Sequence, residues 1–552
     1  MESYPGSEDA NHQLSGGSND SMHDCTQDEI EMPGNSHDLG WTKRLTKPLV
    51  HEFCQESGPQ HNLPVDASPL DYFFLLWPES LFETIVRETN LYAEQRIAES
   101  GKADPLWFPT RKNEMMAFFA LAIMMGIKSV PRLYCYWTRN QALRCEWISG
   151  TMSRARYAKI NQYLQLRDNS CQPLRNHPDY DPIYKVRDMI NVVKRNFSRW
   201  YCPRRELSVD EGMIPFKGRL FFKQHMPRKP VKWGIKVWEL CEAETGYCLN
   251  FDIYTGRNRQ ERPTKGLGYQ VVMHLLHGYQ NKNHHVYFDR FFSTPELLED
   301  LLYQHGTYAC STVNLNRRGI PPSVKELNLQ CRGDVTYFQK GCLLLTMWRD
   351  RRIVAILSTS QVGRMEQMPD GKRKPQAVIR YTQYMGGVDR SDQYRSYYSV
   401  GRSSKKWWRY IVWFLMNLAI VNAWLLFRES KHAPPPTKNY DHLRFRLDLA
   451  EQLRAGFSRH SLQRGRKARA KVSERCVKAV GAHRLLRLPR HKRACRECSR
   501  KGRRTPSGGQ IRTSFSCNLC DLPLCRTLCF NEYHSSIPCT EPTTNSSSLG
   551  NE

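Results

Sequence analysis

The stretch "RRELSVDEGMIPFKGR" (residues 204–219) is where the hydrophobic period of the chain changes. Upstream, apolar residues recur every three or four positions, as on one face of a helix. From here they alternate with polar ones, as in strands with one buried face. "KWGIKVWELCE" (232–242) and "GYCLNFDIYTG" (246–256) continue the alternation, and "HHVYFD" (284–289) and "TYACSTVN" (307–314) read as short buried strands. Two helical patterns lie between them: "LGYQVVMHLLHGY" (267–279), and "STPELLEDLLYQHG" (293–306) with Ser293 or Thr294 as its cap. The predicted order is β-β-β-α-β-α-β, a mixed α/β unit.

Upstream, "SPLDYFFLLWPESLFETIVRETNLYAEQRIAES" (68–100), "KNEMMAFFALAIMMGIKSV" (112–130) and "SRARYAKINQYLQLRD" (153–168) predict amphipathic helices, with Pro78 near a helix start. Residues 67–205 therefore read as a helical domain. Residues 1–66 are rich in Ser, Gly, Asn, Asp and His with few large apolar side chains, and read as a disordered acidic leader. Downstream, residues 313–374 mix Pro, Gly and charges around strand-like pieces such as "CLLLTMW" (342–348), and read as an insertion. After it comes "IVWFLMNLAIVNAWLLF" (411–427), ended by the prolines of "APPPTKNYDHL". As a helix this run spans about 26 Å, short of the roughly 30 Å hydrocarbon core, and it carries Asn417 and Asn422. It reads as a buried helix, not a membrane span.

With 552 residues the chain exceeds one ordinary hydrophobic core, so several domains are expected. Lys and Arg number 82 against 54 Asp and Glu, a net charge of +28, although the first 40 residues hold nine acidic residues and no Lys or Arg. The remainder carries the basic surplus, which suits nucleic acid first and an anionic membrane second. Residues 454–482 form a basic linker in which "RGRKARAK" (464–471) fits a nuclear localisation patch, and the nucleus is the expected location. The opening residues lack the basic start and apolar run of a secretory signal. A reducing interior is thus expected, where the 19 cysteines serve as thiols or metal ligands.

Seven of those cysteines fall in residues 483–540, as "CREC" (495–498), "CNLC" (517–520), "CRTLC" (525–529) and Cys539. Two CxxC knuckles offer paired thiolates to tetrahedral zinc. Cys495, Cys498, Cys517, Cys520, Cys525, Cys529 and His534 make seven ligands, one short of two closed sites. His483, His491 or Cys539 could supply the eighth. The first knuckle could share an ion with the third pair in a cross-braced arrangement, or the knuckles could form a simple ribbon with one pair left over. Residues 541–552 read as a disordered tail.

Three carboxylates each follow an apolar run or open a helix: Asp210 after "LSV", Asp289 after "HHVYF" and Asp389 after "MGGV". Converging at one sheet edge, they could hold two Mg²⁺ ions. Each also has an ordinary explanation: a strand end for Asp210, a turn cap for Asp289, and for Asp389 with Asp392 a helix capping box. Spacing alone leaves both open.

The ordered segments "SVDEGMIPFKGR", "MPRKPVKWGIKVWELCEAETGY", "VYFDRFFST" and "YMGGVDRSDQ", with the helical "SPLDYFFLLWPESLFETIVRETN" before them and the cysteine-rich tail after, resemble the piggyBac transposase family over about residues 67–540. The resemblance implies an RNase H-like catalytic core (206–312 and 375–398) interrupted by an insertion domain (313–374). It implies a helical dimerisation and DNA-binding domain contributed by 67–205 and 399–453, and a C-terminal zinc finger at 483–540. The family's catalytic aspartates fall on Asp210, Asp289 and Asp389, with Asp392 auxiliary. It implies two catalytic Mg²⁺, two structural Zn²⁺, a homodimer, and double-stranded DNA as partner: terminal inverted repeats cut to hairpins and joined into TTAA targets. A domesticated derivative that binds DNA without cutting it is the alternative. Arg290 stands where the family often has Asn, and "CRTLC" where some relatives have Cys and His. Lys217, Arg219, Arg228, Lys229, Lys232 and Lys236 are candidate phosphate contacts or an exposed charged strand face, and Trp407 and Trp408 could stack on unpaired bases or anchor the apolar helix.

Overall fold

The computed structural model describes residues 40–227, 229–256, 265–430, 440–458, 483–488, 491–518, 521–526 and 528–535. The leader before residue 40, Arg228, most of the basic linker with its "RGRKARAK" patch, Cys520, Cys539 and the last residues lie outside the described residues.

The principal helices upstream of the sheet are α1 (Pro69–Leu76), α2 (Glu79–Ser100), α3 (Lys112–Ile127), α4 (Arg154–Tyr163) and α5 (Arg187–Arg199). The single helix expected over 68–100 is two. Pro78 has no N–H to donate and drives Trp77 off the helical region, so Trp77 sits at φ −127°, ψ 79° and α2 starts afresh after the proline. Helix α3 is buried on all sides from Glu114 to Ile123, as an all-round apolar helix must be.

The sheet has nine strands: β1 (Glu206–Pro215), β2 (Gln224–His225), β3 (Trp233–Glu242), β4 (Cys248–Ile253), β5 (His285–Phe288), β6 (Tyr308–Thr312), β7 (Val335–Lys340), β8 (Leu343–Arg349) and β9 (Ile353–Ser358). Strands β1, β3 and β4 pair antiparallel, with β2 also on β3; β5 then lies parallel to β1, and β6 parallel to β5. Helices α6 (Leu267–Leu275) and α7 (Pro295–Tyr303) stand before and after β5, and Thr294 rather than Ser293 caps α7, accepting from Leu297 N at 3.1 Å.

Residues 313–374, expected as an insertion, do not form a separate layer. Strand β9 pairs antiparallel with β6, through Ile356 and Thr312, and β8 and β7 follow outward, so the segment extends the same sheet. Its Pro, Gly and charges mask this in the sequence because they sit between the strands, while Leu343–Trp348 is buried on both faces.

After the sheet come α8 (Gln376–Tyr384), α9 (Gly387–Tyr397), α10 (Trp407–Glu429) and α11 (His442–Arg454). Helix α10, the apolar run, is long and apolar enough to cross a membrane by length and composition, and it is packed inside the protein, against α1, α5, α9, α11 and β1. Helix α11 closes on α1 and α3, so helices from both ends of the chain share one hydrophobic core with the sheet. Asn422, buried in α10, bonds the Cys248 backbone N and O at 3.0 and 2.8 Å and pins the helix to β4.

The leader reading fails for residues 40–66, which are laid along the fold. Trp41 is buried with Nε1 donating to Gly319 O at 2.9 Å, Thr42 pairs with Gln339 on edge strand β7, and Gly58–Pro59 pairs with Tyr201–Cys202. One aromatic anchor and backbone pairing hold this segment without the apolar periodicity that sequence reading looks for.

Candidate catalytic carboxylates and zinc module

Asp210 lies within β1, not at its end: the strand runs five residues further, to Pro215. What ends there is the parallel neighbour. Val209 pairs with Phe288, the last residue of β5, so Asp289 leaves the sheet beside Asp210. Asp289 Oδ1 accepts from Phe291 N at 2.8 Å, so the expected turn cap is present, and its second oxygen is not used in that bond.

Asp389 arrives on α9, whose first residue, Gly387, is pressed onto β1. A Cβ at Gly387 would stand 2.3 Å from Ser208 Oγ and 3.0 Å from Ala243 Cα. Only glycine permits that approach, which seats the helix start two residues along the strand from Asp210. No side-chain cap bond forms at this helix start, so the expected capping box is absent. Asp389 and Asp392 line a cavity of 770 Å³ with Lys229, Arg395, Arg402 and Asn417.

Burial pushes the Asp210 carboxyl up to about 7; Lys229 and the Glu211 N–H pull it back, and the Glu211 and Asp289 charges add to the rise. Lys229 Nζ lies 3.8 Å from Asp210 Oδ2, and Lys236 Nζ 3.8 Å from Glu211 Oε2. Burial lowers the Lys236 ammonium, against the opposing charges of Glu211, Asp210 and Asp289. Lys229 thus supplies a cation beside the largely buried Asp210 carboxylate, and an all-carboxylate donor set of Asp210, Asp289 and Asp389 is of the kind that suits Mg²⁺. The carboxylates do not close into one ligand cluster: among the described residues, three or more His, Cys, Asp or Glu ligand atoms lie within 4.8 Å of one another only in two groups of the tail and in a buried Glu239–Cys241–Cys248 group.

In the tail, Cys495 and Cys498 gather with Cys525 and Cys529 on helices α12 (Arg496–Arg500) and α13 (Cys529–Ser535) and the residues that precede them. The Cys498 thiol lies 3.3 Å from that of Cys529 and 3.9 Å from that of Cys525. Four thiolates about 2.3 Å from a tetrahedral zinc would sit about 3.8 Å apart, so the group fits the ion. The first knuckle thus joins the third pair, the cross-braced alternative. His483, Cys517 and His534 form the second group, with His483 Nδ1 3.3 Å from Cys517 Sγ.

Residues 68–424 match the family described as Transposase IS4, and residues 478–535 match a DDE_Tnp_1-like zinc finger. The chain belongs to the piggyBac transposable element-derived family of DDE transposases. It is 26% identical over 495 residues to PiggyBac transposable element-derived protein 3 of Homo sapiens, covering 86% of this chain and 78% of that one. With PiggyBac transposable element-derived protein 2 of Homo sapiens it shares 27% identity over 412 residues, 70% of this chain and 66% of that one. A solved structure described as piggyBac transposase synaptic complex with hairpin DNA superposes with a TM-score of 0.67 at 24% identity, covering 86% of this chain and 98% of that one, a likeness of fold.

Of the DNA-contact candidates on this member of the piggyBac transposable element-derived family, Lys217, Arg219 and Lys232 are exposed, whereas Lys229 and Lys236 are turned onto the carboxylates. Trp408 is buried and offers no surface for base stacking; it anchors α10 in the core. Trp407, one position away on the helix, is half-buried against the Phe222 ring at 5.6 Å and lines a 390 Å³ cavity with Arg219. Sequence reading did not single out Glu239 and Arg395, a buried ion pair that joins β3 to α9. The signal was a lone Glu in an apolar strand, "VWELC", directly across the hairpin from Asp210.

Proposed function

We propose that this chain is a metal-dependent DNA transposase that cleaves element ends and joins them into TTAA targets. The observation that carries this reading is the placement of Asp210 and Asp289 side by side at the end of a parallel strand pair, with Asp389 seated on the same strand by Gly387. The strand order β4-β3-β1-β5-β6, extended by β9, β8 and β7, supports reading the core as RNase H-like. Asp210, Asp289 and Asp389 would hold Mg²⁺, which when bound supplies electrostatic stabilisation to the attacking and leaving oxygens of a phosphodiester. Lys229 and Lys236 neutralise the carboxylates until then, and Lys217, Arg219 and Lys232 offer exposed charge to the phosphate backbone. The tail binds two zinc ions, one at Cys495, Cys498, Cys525 and Cys529 and one at the group of His483, Cys517 and His534, for which the "CNLC" knuckle offers Cys520 in the sequence as a fourth ligand. The working form is a homodimer on double-stranded DNA in the nucleus.

The test incubates purified protein with Mg²⁺ and DNA bearing the element's own ends flanked by TTAA. Nicks and hairpins above the level given by Asp389→Ala support the enzyme. Equal product from both, with retained DNA binding, leaves the domesticated binder.

A further inference from the structure

We propose that Glu239 and Arg395 are positioning residues that fix the helix carrying Asp389 and Asp392 against the strand carrying Asp210. This rests on reading Asp389 as a metal ligand.

Glu239 lies directly opposite Asp210 in the β1–β3 ladder, so both side chains leave the same face of the sheet. The carboxylate of Glu239 is wholly buried and lies over Gly212, where a Cβ would stand 2.1 Å from its Oε1. Glu239 Oε1 accepts from Arg395 Nη2 at 3.2 Å, and the same guanidinium nitrogen ion-pairs with Asp392. Arg395 is itself held: its guanidinium lies 4.4 Å over the Phe414 ring, and its carbonyl accepts from Asn417 Nδ2 at 2.8 Å.

A chain of contacts thus runs from β3, beside Asp210, through Arg395 to Asp392 on α9. Arg395 is six residues beyond Asp389, about 9 Å along the helix axis. Gly387 presses the start of α9 onto β1 and Arg395 fixes its other end, so the two contacts set both the height and the rotation of the turn between them. A buried ion pair is a poor device for stability alone, since apolar residues of like volume serve at least as well. Its directionality is what a ligand-bearing helix needs. Lysine would keep the charge but lose the planar guanidinium that lies over the Phe414 ring and aims one nitrogen at both carboxylates.

The test is Mn²⁺ binding to the purified full chain by EPR titration, beside thermal unfolding, for wild type, Arg395→Lys, Arg395→Met and Glu239→Gln/Arg395→Met. Arg395→Lys should weaken Mn²⁺ binding about tenfold or more. The double variant, which leaves no lone buried charge, should unfold at a higher temperature than Arg395→Met yet bind Mn²⁺ no better. Wild-type Mn²⁺ affinity in Arg395→Lys or in the double variant overturns the proposal and leaves the proposed function standing. No Mn²⁺ binding by the wild type overturns both.

Discussion

Lys229 Nζ stands 3.8 Å from Asp210 Oδ2 while donating to the Glu211 carbonyl at 2.9 Å, so the largely buried carboxylate of β1 is served by a resident ammonium. That ammonium competes for the oxygens a divalent ion needs. Lys229→Met should therefore bind Mn²⁺ several-fold more tightly than wild type in an equilibrium titration. Weaker binding would mean that Lys229 organises the site instead of competing for it.

Asp210 also sets a pH dependence in the metal-free protein. Its carboxyl, ordinarily near 3.8, is pushed by burial to about 7, so the folded chain keeps a proton that the unfolded chain releases. The stability this contributes is complete below 3.8, declines between 3.8 and 7, and is gone above 7. With chelator present, urea midpoints measured from pH 4 to 8 should fall more steeply for wild type than for Asp210→Asn. Burial lowers His284 to about 4 and His285 to about 3, which acts in the opposite sense as pH falls, so the difference between the two proteins is the quantity to read.

Gly387→Ala forces a methyl group to within 2.3 Å of Ser208 Oγ. The start of α9 must lift from β1, at a stability cost of about 1–3 kcal/mol. Displacing a reacting group by about 1 Å costs roughly 100-fold in rate, so cleavage of element-end DNA should fall at least that far while the chain remains folded. Cleavage within a few-fold of wild type would detach Asp389 from the chemistry.

In the tail, His483 groups with Cys517 and His534, whereas His491 belongs to neither ligand group. Metal analysis of the purified protein should find two zinc ions per chain, one in His483→Ala and two in His491→Ala. Two in His483→Ala would send the eighth ligand elsewhere. Cys498→Ser should release the other ion, since that thiol lies 3.3 Å from Cys529 and 3.9 Å from Cys525.

Local pattern exposes some of this architecture and hides the rest for identifiable reasons. Strand alternation and helical period placed β1, β3, β4 and α3 within a few residues, because each buries one continuous face or all of its surface. Asp210, Asp289 and Asp389 stood out by family resemblance, since spacing fitted caps and strand ends equally well. Glu239 was hidden because alternation tells which residues share a face but not which residue lies across the ladder. Trp407 and Trp408 look alike in the sequence, yet adjacent residues on a helix point about 100° apart, and only packing decides which one is buried. The strap at 40–66 has no periodic signal at all.

The continuity of the sheet has a metric consequence. From β7 at its outer edge to β1 there are five inter-strand steps through β8, β9, β6 and β5, about 24 Å at the usual strand spacing. Every step is a hydrogen-bonded ladder, with no linker among them to act as a joint. Whatever docks on the outer edge is held at a fixed span from the carboxylates, as on the beam of a calliper, and a change of that span requires a ladder to break.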